Sequence, residues 1–166
     1  MVGPIPSTIS LLTKLVRLRI TDLNTTNMSI PDLQNLENLE QLILRNCSII
    51  GPLPSYIGQK LLRLKKLDLG FNRLTGPIPE NLRTLPDLKY MYLTNNSLDE
   101  EVPSWLSTGK SNFFVDISYN NFTGDSQSRC GEKNMNKISS YSSVKDNTIN
   151  WCLKKDLPCP HKPSCK

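Results

Sequence analysis

Apolar and polar positions along the 166 residues follow one phrase that is written five times. Its fullest copy sets Leu64, Leu67, Leu69, Asn72, Leu74, Gly76, Ile78 and Pro79 in the order L-x-x-L-x-L-x-x-N-x-L-x-G-x-I-P. Aligning the second leucine of the L-x-L pair gives Ile20, Leu44, Leu69, Leu93 and Ile117, at gaps of 24, 25, 24 and 24 residues. The L-x-L pair alternates as a half-buried strand must, so the phrase predicts strands centred on Leu18, Leu42, Leu67, Met91 and Val115. An I-P-like corner closes each copy, at Ile5-Pro6, Ile30-Pro31, Leu53-Pro54, Ile78-Pro79 and Val102-Pro103. Proline fixes φ and lacks a donor, which suits a corner leading into a short helical turn. The slip to 25 lies at Gly58-Gln59-Lys60, where it is expected to lengthen a loop on the convex side and leave strand register intact.

A period in the range of about 20–29 residues with this spacing marks a leucine-rich-repeat solenoid. The expected fold is an α/β repeat solenoid, a right-handed superhelix with short parallel strands on its concave face and a Cys-rich irregular tail. Residues 1–124 form the solenoid, a partial repeat at 1–9 followed by five repeats, and residues 125–166 form a Cys-containing cap or linker. The residue three past the aligned apolar position runs Leu23, Cys47, Asn72, Asn96, Asn120. Asn72, Asn96 and Asn120 are expected to turn their amides inward to satisfy buried backbone groups of neighbouring turns. Cys47 takes the same ladder position as a buried, inert thiol, the competing reading being a reactive or intermolecular one, and with Leu23 it should leave the N-terminal turns less firmly tied.

Residues alternating with the core leucines face the concave side. The columns are Arg17, Gln41, Lys66, Tyr90, Phe114, then Arg19, Ile43, Asp68, Tyr92, Asp116. Two further columns are Thr21, Arg45, Gly70, Thr94, Ser118 and Asp22, Asn46, Phe71, Asn95, Tyr119. Basic residues gather in the N-terminal half and aromatic ones in the C-terminal half. Aromatic residues beside Arg are enriched where interfaces bind most strongly. The candidate contact residues are therefore Arg17, Arg19, Arg45, Lys66, Asp68, Phe71, Tyr90, Tyr92, Phe114, Asp116 and Tyr119. The competing structural reading is that Phe114 packs inward and the tyrosines only cover their neighbours.

Charge and cysteines narrow the classes. Residues 1–124 carry 12 Lys/Arg against 11 Asp/Glu, and residues 125–166 carry 8 against 4, which makes up the net +5. The tail lysines form no run or helical face, so nucleic acid is not an expected partner. Cys130, Cys152, Cys159 and Cys165 crowd the tail without paired C-x-x-C spacing and with His161 the only histidine, which favours disulfides over a metal site. Sequons at Asn24, Asn27, Asn46, Asn95 and Asn121 agree with a secretory route; those at Asn46 and Asn95 share the concave face and would screen one edge if glycosylated. The opening Met1-Val2-Gly3-Pro4-Ile5-Pro6 has no signal-peptide pattern and reads as the close of a repeat, so a fragment of a longer protein is expected. No catalytic constellation, kinase motif, metal site or cofactor motif is legible, and no apolar stretch reaches the ~20 residues of a membrane helix.

G-x-I-P joined to the leucine phrase over residues 3–124 resembles the plant-specific subclass of leucine-rich repeats. The segment Asp116-Ile117-Ser118-Tyr119-Asn120-Asn121-Phe122-Thr123-Gly124 is similar to the last repeat of plant receptor ectodomains. Cys130, Cys152-Leu153-Lys154 and Pro158-Cys159-Pro160 resemble the link to a malectin-like domain in one class of receptor-like Ser/Thr kinases, although Cys165 has no counterpart there. The resemblance implies a segment of a receptor at the extracellular face of the plasma membrane, binding a peptide, a glycan or a partner receptor, with a co-receptor as a possible second partner. The kinase, membrane helix and malectin-like domain of that plan are absent from these residues, so a non-catalytic role without direct membrane contact is expected. A soluble secreted protein of inhibitor type and a truncated product with no function of its own are the alternatives.

Overall fold

A computed structural model describes residues 3–106 and 113–123. The four tail cysteines Cys130, Cys152, Cys159 and Cys165, and with them the cap at 125–166, lie outside the described residues. In chain order the strands are β1 (Arg17–Thr21), β2 (Gln41–Arg45), β3 (Ile50–Pro52), β4 (Lys66–Asp68), β5 (Arg73–Gly76), β6 (Tyr90–Tyr92), β7 (Ser97–Leu98) and β8 (Phe114–Asp116). Strands β1-β2-β4-β6-β8 make a five-stranded sheet in which neighbouring strands are parallel. Its register pairs each expected strand centre with the next, Leu18 with Leu42, Leu42 with Leu67, Leu67 with Met91 and Met91 with Val115.

The core repeats with the sequence. Leu36, Leu61 and Leu85, then Leu39 and Leu64, then Leu44, Leu69 and Leu93 are all 0% exposed. Each such side chain contributes about 1.5–3 kcal/mol of burial, and each is covered only by the turns on either side. Leu12 occupies the same column as Leu36 but is 54% exposed, because no described repeat packs on that side.

Two features differ from expectation. A second parallel sheet, β3-β5-β7, runs along the chain just past the ladder residues. The slip to 25 residues makes no looser loop: Tyr56–Lys60 forms a turn of α-helix where other repeats have 3-10 turns, at Ser7–Leu11, Glu80–Thr84 and Ser104–Leu106. An α-turn takes 3.6 residues where a 3-10 turn takes 3.0, so the wider coil absorbs the extra residue within the same advance. The α-helix α1 (Tyr56–Lys60) then lies against the 3-10 turn of the next repeat, with Gly58 set closely against the Asn81 backbone.

The same turn carries a cross-repeat clasp. The Tyr56 hydroxyl donates to the Pro31 carbonyl at 2.6 Å and accepts the Leu33 N–H at 3.3 Å. Burial pushes its phenol up to about 12, the Leu33 N–H pulling slightly the other way. The folded chain thus holds this proton more tightly than the unfolded chain, whose tyrosines titrate near ~10. The stabilisation is complete below pH ~10 and is lost as pH rises through the folded value. Unfolding followed from pH 9 to 12.5 is expected to show an alkaline loss of stability that Tyr56→Phe reduces, while costing about 1–2 kcal/mol at pH 7 for the stranded carbonyl. Identical alkaline profiles for the two proteins would refute the clasp.

Candidate functional site

The ladder fixes the strands on which the site is built. The Asn72 amide donates to the Leu44 carbonyl of the preceding repeat at 2.7 Å and to the Leu69 carbonyl at 2.9 Å. Its oxygen accepts the N–H groups of Cys47 at 3.0 Å and Ile49 at 3.1 Å. Asn96 donates to Leu69 and Leu93 and accepts from Leu74, and Asn120 donates to Leu93 and Ile117 and accepts from Leu98. Cys47, fully buried, sends its thiol to the Ile20 carbonyl at 3.5 Å and the Arg45 carbonyl at 3.3 Å, a weaker substitute for an amide. Burial raises the Cys47 thiol above its ordinary value, which keeps it protonated.

Directly before the ladder each strand ends on the same reversal. Asp22, Asn46, Phe71, Asn95 and Tyr119 all have left-handed backbone, with φ between 53 and 60°. Asp and Asn accept that conformation because their short polar side chains can bond locally; in addition, Asn46 Nδ2 donates across repeats to Asp22 Oδ1 at 2.8 Å. Phe71 and Tyr119 are not of that short polar type. For residues of this type left-handed backbone costs on the order of 1–2 kcal/mol.

The concave face is organised around rings. Tyr90 and Phe114 stack across adjacent strands with centroids 5.3 Å apart and planes 10° apart, and Tyr92 joins Tyr90 at 6.5 Å. Tyr90 and Phe114 remain 39% and 43% exposed, so Phe114 faces outward and the inward-packing alternative is set aside. Lys66 Nζ sits 5.2 Å from the centre of the Tyr92 ring. Near the other end of the strands the Arg45 guanidinium lies 4.2 Å from the centre of the Phe71 ring. Gly70 makes room for that reach: a Cβ there would stand 3.2 Å from both Arg45 Nη1 and Thr94 Cγ2.

The carboxylates are less available than the alternation suggests. Asp68 is 8% exposed, accepts the Gly70 N–H at 3.2 Å and pairs with Arg45 at 3.7 Å. Asp116 accepts both the N–H and the hydroxyl of Ser118, which in turn shares a 2.7 Å bond with the Thr94 hydroxyl. These two aspartates brace the strand ends and present little free charge, whereas Arg17 and Arg19 are exposed at the N-terminal side. Thr94 and Ser118, passed over in choosing candidate residues, are buried between the two aromatic columns. Their signal was the run of small residues Gly70, Thr94 and Ser118 in the C-terminal part of their column. Burial raises the Tyr92 phenol, with Tyr90, Asp68 and Asp116 adding to it, so Tyr92 remains a neutral donor. Among the described residues no group of His, Cys, Asp and Glu is placed to hold a metal ion, and no helix is long and apolar enough to cross a membrane.

The leucine rich repeat model matches residues 37–98. A probable LRR receptor-like serine/threonine-protein kinase of Arabidopsis thaliana is 51% identical over 140 residues, covering 84% of this chain and 13% of the relative. A second is 50% identical over 147 residues, covering 88% of this chain and 14% of the relative. The chain thus spans about one seventh of the length of these curated relatives. Among solved structures, the Arabidopsis receptor kinase HAESA in complex with the peptide hormone IDA and the co-receptor SERK1 aligns with TM-score 0.70 and 34% identity, over 74% of this chain and 21% of that one. The LRR ectodomain of GASSHO1/SCHENGEN3, in complex with CASPARIAN STRIP INTEGRITY FACTOR 2, aligns with TM-score 0.71 and 31% identity, over 86% of this chain and 17% of that one.

Proposed function

The chain belongs to the leucine-rich-repeat family and is homologous to plant receptor-like serine/threonine-protein kinases, and on that premise we propose that it is an extracellular recognition module. In this reading it is a segment of a receptor ectodomain that takes a protein or peptide ligand across its concave face. The stacked, exposed pair Tyr90–Phe114 carries the proposal. Rings held rigid by their neighbours lose little entropy on binding, which is why aromatic anchors dominate interface energetics. Arg17 and Arg19 add positive charge at one end of the face, and Lys66 and Arg45, each lying over a ring, keep Tyr92 and Phe71 oriented. The two similar ectodomain structures named above hold peptide or protein partners, which supports the same class of ligand here.

The test is selection of binders from a library of random linear peptides of about a dozen residues against the immobilised chain. Selected peptides are expected to lose at least about tenfold in affinity when Tyr90 or Phe114 becomes alanine, the scale of a central interface residue. Glu80→Ala, on the exposed 3-10 turn away from the strands, is expected to leave affinity unchanged. Peptides indifferent to Tyr90 and Phe114 would remove the concave face from the proposal.

A further inference from the structure

We infer that the peptide taken by the concave face is acidic over one half of its length, and that this half lies along the edge where strands β1, β2, β4 and β6 begin. The inference deepens the recognition role proposed above and rests on it. Backbone hydrogen bonds tie the residues just before the strands into one column. The Lys65 N–H donates to the Glu40 carbonyl at 2.8 Å, and the Lys89 N–H to the Lys65 carbonyl at 2.9 Å. The strand register sets Arg17, Gln41, Lys66 and Tyr90 side by side in the next column. Arg63, two residues before Lys65, donates to Asn38 Oδ1 at 2.9 Å. Arg17, Arg63, Lys65, Lys66 and Lys89 therefore share one edge with Glu40, and Glu37 and Asp87, exposed on the segments leading in, mark its outer limit.

Glu40 shows what this edge accepts. Its carboxylate pairs with Lys65 at 2.9 Å, and Lys65 foremost, then Arg17 and Arg63, hold it below its ordinary value. One carboxylate does not use up that charge. Arg17 and Lys89 are exposed, and among the described residues neither is in an ion pair. Lys66, with Nζ 5.2 Å from the centre of the Tyr92 ring, joins the charged edge to the aromatic face. Past β6 the charge stops, because Phe113 and Phe114 follow Lys89 and Tyr90 in the two columns. A polymer of uniform negative charge, such as a polyuronate, finds no further cation there. A peptide can change character at that point, setting carboxylates over the earlier strands and an apolar residue against Tyr90 and Phe114. Complementary charge at such a rim steers encounter and fixes which way round the ligand lies.

The test measures how tightly the full chain binds a short labelled peptide with aspartates in one half and leucine and tyrosine in the other. This peptide is expected to bind more tightly than its counterpart with lysine for aspartate, and more tightly than an oligouronate of equal charge. Arg17→Gln and Lys89→Gln are each expected to weaken it about two- to fivefold, the scale of one exposed ion pair. Glu40→Gln should tighten it by a similar factor, because a repelling carboxylate is removed and Lys65 is released. Lys154→Gln takes the same charge from the tail and should leave affinity unchanged. Equal or tighter binding of the lysine peptide or the oligouronate overturns the inference. So does a Glu40→Gln variant that binds no more tightly, or a loss in Lys154→Gln equal to that in Lys89→Gln. None of these outcomes alters whether selected peptides depend on Tyr90 and Phe114, so failure of the acidic preference and failure of the recognition role are told apart.

Discussion

Replacing Asn72 with alanine is expected to lower the free energy of unfolding by about 3–5 kcal/mol, because it strands two buried N–H groups and a carbonyl at about 1–3 kcal/mol each. The N–H groups are those of Cys47 and Ile49, and the carbonyl is that of Leu44. All three belong to the preceding repeat, whose own ladder residue is a thiol with little to spare. The damage should therefore be directional. In hydrogen exchange the amides of Cys47 and Ile49 are expected to lose protection strongly, while that of Leu98, held by Asn120, keeps most of its own. Because a solenoid is tied together through nearest neighbours, the repeats before Asn72 should fray before those after it. A loss below about 1 kcal/mol, or uniform exchange along the chain, would contradict the role of the ladder as the tie between repeats.

Gly58→Ala sets two effects of opposite sign against each other. Inside a helical turn, alanine is favoured over glycine by about 1 kcal/mol, and propensity alone predicts a more stable protein. Here a Cβ would collide with the Asn81 carbonyl oxygen and stand 2.6 Å from its carbon, both backbone atoms that no side-chain rotation can move. Overpacking of this kind costs about 1–3 kcal/mol and occasionally more. The steric term wins, and a net loss of about 1–2 kcal/mol is expected after the gain in propensity. The neighbouring bond from Asn81 Nδ2 to the Ser55 carbonyl, 2.8 Å long, should be strained with it. Chemical denaturation of the two proteins decides the sign, and a stabilised variant would mean that the helical turns do not pack as tightly as described.

Both predictions concern scaffold, and scaffold is what the sequence states most openly. The leucines at 42, 44, 67 and 69 and the asparagines at 72, 96 and 120 announce themselves by period, because every repeat meets the same environment. Strand positions and register followed directly from that period. The second sheet was harder to read, since β7 is two residues long and its backbone pairing leaves almost no side-chain pattern. The α-turn at Tyr56–Lys60 escaped because an insertion in sequence says nothing about which coil absorbs it. At the candidate site, alternation correctly sent Tyr90, Tyr92 and Phe114 to the concave face. It could not show that Asp68 and Asp116 are consumed by Gly70, Arg45 and Ser118, because those bonds depend on where a turn brings an N–H back. The left-handed column was also hidden: Asn and Asp hint at it, whereas Phe71 and Tyr119 argue against it.

The parallel pairing of the long sheet has a metrical consequence for any extended chain laid across it. The sheet presents one side chain per column about every 4.8 Å, whereas a strand-like ligand shows successive side chains to one face about every 6.6–6.8 Å. The two scales act as a vernier. They drift apart over one or two strands and come back toward coincidence after about three, where some 14 Å of sheet meets some 13 Å of ligand. Anchors three strands apart, like Arg17 and Tyr90 in the same column of β1 and β6, therefore select a ligand by the distance between its contacts as much as by their chemistry.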